Sequence, residues 1–117
     1  MINSILDTIK KMLGIPTTDT AFDVDIIVGI NSVFMSLNQL GIGPDTVFTI
    51  EDNTKEWGDF LIEPTLYPAV QSYIHLKTKL IFDPPVSSFL LTSMENQILE
   101  LSWRLMVQVP IPPDPII

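Results

Sequence analysis

The stretch that decides the fold of this 117-residue chain is Leu91-Thr-Ser-Met-Glu-Asn-Gln-Ile-Leu-Glu-Leu-Ser-Trp-Arg-Leu-Met106. Apolar residues recur along it at alternating spacings of three and four, which is the pattern of one apolar side of an α-helix. This seam consists of Leu91, Met94, Ile98, Leu101 and Leu105. The pattern predicts a long helix over about residues 86–107 that packs its seam against a helical core.

A second apolar stripe runs along the same helix and consists of Leu99, Trp103 and Met106. A helix with two apolar sides packs against two things, so we interpret the second stripe as a partner-binding surface. The alternative is a helix that lies centrally in its own bundle, which covers both sides. Of the two tryptophans, Trp57 and Trp103, a core position is the usual outcome, but the place of Trp103 in the second stripe favours an interface.

The chain ends in a proline-rich segment, Val109-Pro-Ile-Pro-Pro-Asp-Pro-Ile-Ile117. Proline fixes φ and lacks an amide donor, so we expect an extended arm of polyproline II geometry. Disordered tails are usually polar, and the apolar character of this one favours docking on another surface. The alternative is a frayed terminus or an arm that lies on its own domain. The residues predicted to bind partners are Leu99, Trp103, Met106, Val109, Pro110, Ile111, Pro112, Pro113, Pro115, Ile116 and Ile117.

Helical periodicity also marks the amino-terminal part of the chain. Residues 2–13 predict a short amphipathic helix that ends at Gly14 and Pro16. A second helix is predicted up to residue 40, and Gly41 with Ile42 suits a Schellman cap. Its residues expected to face inward are Phe22, Ile26, Ile30, Val33, Phe34, Leu37 and Leu40.

The middle of the chain carries weaker signals. Thr46-Val-Phe-Thr-Ile50 is the only credible strand, and it is an extended piece, a hairpin partner or half of an intersubunit pair. Asn53 with Glu56 resembles the cap of one or two helical turns. Pro64 and Pro68 suit the first turn of a longer helix, because missing amides cost little there. The residues of this helix expected to face inward are Leu66, Val70, Tyr73, Ile74 and Leu80, and Phe82-Asp-Pro-Pro85 ends it.

These elements predict an all-α fold. We expect a small bundle of four to five helices with one short extended segment and an extended Pro-rich C-terminal arm. Residues 1–107 are predicted to form the helical domain and residues 108–117 the docking arm.

The composition favours an oligomer. Hydrophobic residues make up 46% and charged residues 17% of the chain, and the mean hydropathy is +0.35. About 25% charged residues is typical, so the chain carries more apolar surface than one copy hides comfortably. No apolar run is long enough to cross a membrane, and the amino terminus lacks the basic region of a secretory signal. With no cysteines, the chain fits a reducing compartment, and we expect it to be made in the cytoplasm.

The charge pattern disfavours a nucleic-acid binder. Fourteen acids against six bases give a net charge of −8, whereas phosphate binding needs a basic surface. Lys10 with Lys11, and Lys77 with Lys79, are therefore interpreted as solvated helix faces. An acidic surface also suits a protein past which DNA must slide without sticking.

No motif assembles a catalytic, cofactor or metal site. His75, the only histidine, has no acidic residue three or four positions away, so a ligand or general base is improbable. Asp52 and Glu63 have the frame of a calcium loop, but Thr54 and Trp57 occupy positions of a ligand and an obligatory glycine. We expect neither an enzyme nor a bound cofactor.

Several pieces of the chain, in this order and at these spacings, resemble one family, the small head-tail connector or adaptor proteins of long-tailed bacteriophages. The pieces are Phe22-Asp23-x-Asp25-Ile26 leading to Ile30-Asn31, Leu37-Asn-Gln-Leu-Gly-Ile-Gly-Pro44, Trp57-x-x-Phe60, Tyr73-Ile74-x-Leu76-Lys77, Leu80-Ile-Phe-Asp-Pro-Pro85 and Glu100-Leu101-x-Trp103-Arg104-Leu105. Together they span nearly the whole chain.

The resemblance implies an α-helical virion protein that forms a homo-oligomeric ring at the head-tail junction. Its expected partners are the portal protein, neighbouring copies and the next connector or tail-completion protein, while DNA passes nearby without specific binding. No membrane is involved. In this picture the two apolar stripes of the last helix provide the two faces of a ring subunit. The alternative is a soluble acidic module that regulates or inhibits a basic partner.

Overall fold

Five α-helices and one short 3-10 helix form the regular structure of the protein in a computed structural model, which describes residues 4–61 and 63–108. The helices are α1 (Ile5–Met12), α2 (Asp23–Gln39), α3 (Trp57–Phe60), α4 (Tyr67–Phe82) and α5 (Ser88–Gln108), and the 3-10 helix is Pro64–Leu66. No β-strand occurs in the described residues, and the predicted all-α fold is confirmed. Of the predicted arm, residues 108–117, Gln108 belongs to α5 instead, and residues 109–117 lie outside the described residues.

The first helix begins at a side-chain cap. The Ser4 hydroxyl accepts a hydrogen bond from the Asp7 amide at 3.3 Å, which satisfies one of the free amides of the first turn. The apolar side of α1 is buried in the core through Ile5, Leu6 and Ile9. The predicted amphipathic helix is thus confirmed, with its end at Met12.

The predicted Schellman cap ends α2. Gly41 has φ +84°, and its amide donates to the Asn38 carbonyl at 3.0 Å. The Ile42 amide donates to the Leu37 carbonyl, also at 3.0 Å, and the Ile42 side chain is buried. These two bonds satisfy carbonyls that the helix leaves free, and glycine provides the left-handed backbone without strain.

Two of the residues expected to face inward from α2 do not lie in the core. Leu40 is half-buried, and Phe22 precedes the first helical residue and is exposed. The Phe22 ring instead packs edge-on against Phe82 at the end of α4, with ring centroids 5.6 Å apart. Phe22 therefore belongs to the surface, because the chain has not yet entered the helix that carries the apolar face inward.

Residues 46–50 form no strand and no hairpin within the described residues, which agrees with the extended-piece interpretation, and a pair between subunits stays a prediction. The Asn31 side chain takes the place of a strand partner for Ile50: its Oδ1 accepts from the Ile50 amide at 2.8 Å, and its Nδ2 donates to the Ile50 carbonyl at 3.0 Å. This pairing satisfies the backbone at the point where Ile50 enters the core.

The expected cap at Asn53 is wrong by three residues. Glu56 precedes α3, and its amide donates to the Asp59 carboxylate at 2.8 Å, which is half of a capping box. Asn53 instead donates to Asp7 at 3.4 Å. The helix itself buries Trp57 and Phe60, as the spacing indicated.

The fourth helix is the centre of the bundle, since α1, α2 and α5 all pack on it. Pro68 lies in its first turn, as predicted, and Val70, Tyr73 and Ile74 are buried. Leu66 and Leu80 are only half-buried. On the α2 side the approach is close, because a Cβ placed on Gly29 would lie 3.3 Å from Thr78 Cγ2.

Lys10 is a buried charge that the sequence did not reveal. Its side chain is 1% exposed, and Nζ lies 2.7 Å from Asp23 Oδ1, 2.7 Å from the Asp19 carbonyl oxygen and 3.2 Å from the Thr17 carbonyl oxygen. Three acceptors match the three donors of an ammonium group. The interpretation of Lys10 as a solvated residue is therefore wrong, whereas Lys11 is exposed. The bonds tie the end of α1 to the start of α2.

Candidate interaction surfaces

The two apolar stripes of α5 differ in burial. The first stripe faces the core, since Leu105 is fully buried and both Ile98 and Leu101 pack against the core cluster. Leu91 and Met94, nearer the start of the helix, are half-buried. Because the protein's own core covers this stripe, it is not one of two ring faces, and that part of the expectation is wrong.

The second stripe is exposed. Leu99, Trp103 and Met106 are each more than half exposed, with the Trp103 side chain at 65%. The structure therefore brings these three predicted site residues together on one side of α5. It excludes the alternative in which the bundle buries both sides of this helix. The remaining predicted site residues, Val109, Pro110, Ile111, Pro112, Pro113, Pro115, Ile116 and Ile117, lie outside the described residues.

Two further residues enlarge this surface. Phe89 and Val107 are exposed and lie within about 40° of Trp103 around the helix axis, given about 100° per residue. The signal was present in the sequence, because 89, 92, 96, 99 and 103 continue the spacing of three and four. Thr92 and Asn96 interrupt its apolar character, which is why the pattern was missed. We call Phe89, Leu99, Trp103, Met106 and Val107 the α5 face.

A charged pair borders the α5 face. Arg104 donates to Glu100 Oε1 through Nη2 at 2.6 Å, one helical turn apart, and both side chains are largely exposed. Such an exposed pair adds little to folding stability, on the order of 0.5 kcal/mol. Its position beside Trp103 places polar groups at the rim of an apolar surface, which is the usual arrangement of an interface.

A second exposed apolar surface lies where α2 begins and α4 ends. Phe22, Val28, Ile81 and Phe82 line an open cleft of about 570 Å³, in which Val28 and Ile81 are each more than half exposed. Asp25 and Asp83 complete the lining, and Lys79 lies 3.4 Å from Asp83. We call Phe22, Val28, Ile81 and Phe82 the α2 edge. No sequence pattern indicated the α2 edge, because Phe22 was predicted to lie in the core and Ile81 was assigned to no surface.

The groove between α4 and α5 carries the only histidine of the chain. It has a volume of about 470 Å³ and is lined by Ser72, His75, Leu76, Gln97, Glu100, Leu101 and Arg104. Burial lowers the pKa of His75 below its ordinary value, the charge of Lys79 lowers it further, and a hydrogen bond to the Met12 carbonyl opposes these effects. The imidazole is therefore mainly neutral at pH 7.

Within the described residues, no three side chains of the metal-ligating types gather closely enough to hold an ion. The Asp52 carboxylate of the tested calcium loop accepts from the Thr54 amide at 2.9 Å, and hydrogen bonds from Thr54 lower its pKa. Over the same residues, no helix combines the length and the hydropathy needed to cross a bilayer.

Comparison with known proteins identifies the family. The sequence model described as phage connector protein matches residues 5–110, a range that includes all five helices. The chain therefore belongs to the phage connector protein family, and the resemblance inferred from the sequence is confirmed. No curated protein and no solved structure matches the chain.

Family membership defines the coarse role of the protein. It is a structural protein of a bacteriophage, a head-tail connector that acts in virion assembly and interacts with other phage head or tail proteins. Residues 111–117, most of the proline-rich segment, lie beyond the match.

Proposed function

We propose that the protein forms a homo-oligomeric ring at the head-tail joining region, between the portal and the tail-completion proteins, around a channel through which DNA passes. The observation that carries this proposal is the α5 face: an exposed apolar side of a helix whose other side the core already covers. In a member of the phage connector family, its natural occupants are other virion proteins. Family membership also favours this role over that of a soluble acidic regulator.

Burial of the Trp103 indole in an interface is energetically favourable. An aromatic side chain buries about 150–250 Å² in an interface, and apolar burial contributes about 25 cal/mol per Å². Covering an indole that is 65% exposed is thus worth on the order of 3 kcal/mol before association entropy is subtracted. A residue of this kind at the centre of an apolar face is a typical hot spot.

The charge of the subunit suits a channel for DNA. Each copy carries a net charge of −8, and a ring of copies multiplies that charge around its axis. Like-charge repulsion keeps the DNA backbone from adhering to the wall, which favours passage in both directions.

The proline-rich segment is proposed to act as an arm that docks on the portal. In polyproline II geometry, residues 109–117 would reach about 28 Å, enough to extend beyond the subunit that carries them. A neighbouring subunit is the other partner within reach. The apolar residues of the segment supply the contact and its prolines limit the entropy lost on docking.

Electron microscopy of the purified protein, with and without portal, tests the ring. We expect ring-shaped particles on the portal, and a protein that stays monomeric with portal and is missing from purified virions would contradict the proposal.

Deletion of residues 108–117 tests the arm. Because the deletion removes only the last residue of α5 and no other helical residue, we expect the circular dichroism spectrum to stay helical while incorporation into heads is lost. The matched control replaces the four prolines of the segment with alanine at unchanged length, which we expect to weaken incorporation without abolishing it. An unfolded deletion product, or normal incorporation, would refute the docking role.

A further inference from the structure

The α5 face and the α2 edge lie on different parts of one chain. The α5 face belongs to the last helix, and the α2 edge combines the start of α2 with the end of α4. Both α2 and α5 pack on α4, which separates them in the bundle. A closed ring of identical subunits needs two such different surfaces on each copy, one complementary to the other.

The two surfaces are complementary in shape. The α2 edge is concave, with a cleft of about 570 Å³, within the range of about 300–1,000 Å³ that is typical of sites for compact ligands. The α5 face presents a row of large side chains on a helix, with the Trp103 indole largely free of its own subunit. An amphipathic helix that places an aromatic anchor into an apolar groove is a recurring mode of recognition.

The two surfaces are also complementary in charge. Two carboxylates, Asp25 and Asp83, line the apolar cleft of the α2 edge. On the α5 side, the indole of Trp103 offers an N–H donor and Arg104 offers a guanidinium. Arg104 is the only arginine of the chain, and its exposed pair with Glu100 is weak enough to be exchanged for a carboxylate of another copy.

Pairing of like surfaces satisfies these groups less well. Two α5 faces in contact would bring Arg104 near Arg104 and leave the α2 edge open to water. Two α2 edges in contact would bring four carboxylates together, although each Asp83 also lies 3.4 Å from Lys79 of its own copy. Pairing of unlike surfaces covers both apolar areas and sets Arg104, with its partner Glu100, opposite Asp25 and Asp83.

We propose that the α5 face of one copy docks into the α2 edge of the next, with Trp103 in the cleft lined by Phe22, Val28 and Ile81. This contact is the repeating subunit interface of the ring, and it rests on the proposed ring function. It assigns the cleft to a second copy of this chain.

Site-specific cross-linking tests the pairing. Because the chain has no native cysteine, the introduced thiols are the only ones that react. Three variants of the full chain are needed: Val107→Cys on the α5 face, which keeps Trp103 in place, Ile81→Cys on the α2 edge, and the double variant. Both positions are more than half exposed, so the fold should tolerate them. Each is treated with a short bismaleimide, free at high concentration and assembled on portal-bearing heads. Lys11→Cys, exposed and outside both surfaces, is the control.

We expect a characteristic pattern. Each single variant alone gives no dimer, an equal mixture of the two gives one dimer and nothing larger, and the double variant gives a ladder of oligomers. Dimers from Val107→Cys alone would show pairing of like faces and overturn the proposal.

A second result distinguishes this proposal from the ring itself. If the wild-type chain is present in virions but the mixture gives no dimer there, the pairing is wrong and the ring stands. If the wild-type chain is absent from virions, both the proposed ring function and the pairing are refuted.

Discussion

The two tryptophans of this chain occupy opposite environments. Trp57 in α3 is 4% exposed, and its indole N–H donates to the Thr8 hydroxyl of α1 at 3.1 Å. Trp103 in α5 is 65% exposed on an apolar face. The first side chain has both its apolar and its polar requirements met inside the subunit, and the second does not. The same residue type therefore stabilises the monomer in one region and, by our account, the assembly in the other.

The largest expected effects come from removing the two indoles. Trp57→Ala should destabilise the subunit by about 3–5 kcal/mol, because it leaves a cavity and removes the hydrogen bond to the Thr8 hydroxyl. Trp103→Ala should change the free energy of unfolding by no more than about 0.5 kcal/mol, as for other surface substitutions, and yet reduce assembly on the portal. Urea unfolding and sedimentation with portal measure the two quantities. Equal loss of stability in both variants would contradict the assignment of Trp57 to the core and Trp103 to an interface.

The same contrast holds within α5, on a smaller scale. Leu105→Ala should cost about 2–5 kcal/mol, since Leu105 is fully buried. Leu99→Ala is the matched substitution on the exposed side of α5. It should leave the unfolding midpoint near that of the wild type and weaken assembly. Differential scanning calorimetry and head incorporation give the two readouts. An assembly defect for Leu105→Ala at a temperature where it is fully folded would argue against separate roles.

Much of the fold could be predicted from the sequence, because the deciding signals are local. Periodicity predicted α1, α2, α4 and α5, and the glycine after α2 predicted its cap, since few residues other than glycine adopt the φ required there. The predicted cap at Asn53 was wrong, because Glu56 and Asp59 form a capping box three residues later and the helix begins there.

The surfaces were predicted only in part, because burial depends on tertiary packing. Periodicity revealed two apolar stripes on α5 but not which one the core covers. Nothing local distinguishes Lys10 from Lys11, although Lys10 Nζ has three acceptors: two carbonyls of the loop before α2 and the Asp23 carboxylate at the start of α2. The α2 edge joins residues nearly sixty positions apart, so no window of sequence contains it.

The smallest expected effect concerns the groove in which α4 meets α5. The pKa of His75 is lowered in the folded subunit, chiefly by burial, so the unfolded chain binds a proton more readily below about pH 6.5. The free energy of unfolding is therefore highest above that pH and decreases as the pH falls through it, because the unfolded chain takes up the proton first. We expect the urea midpoint to fall modestly between about pH 7 and 5.5, and His75→Gln to flatten this dependence. A midpoint that rises on acidification would contradict this sign.

The most direct test of the α5 face is the accessibility of one position on it. A Leu99→Cys chain, whose thiol is its only one, is labelled with a maleimide as free protein and in assembled particles, with Lys11→Cys as the exposed control. Mass spectrometry of the chain gives the labelled fraction. We expect rapid labelling of both positions in the free protein and strong protection of position 99 alone in particles. Equal labelling of position 99 in the two states would contradict the claim that another protein covers the α5 face.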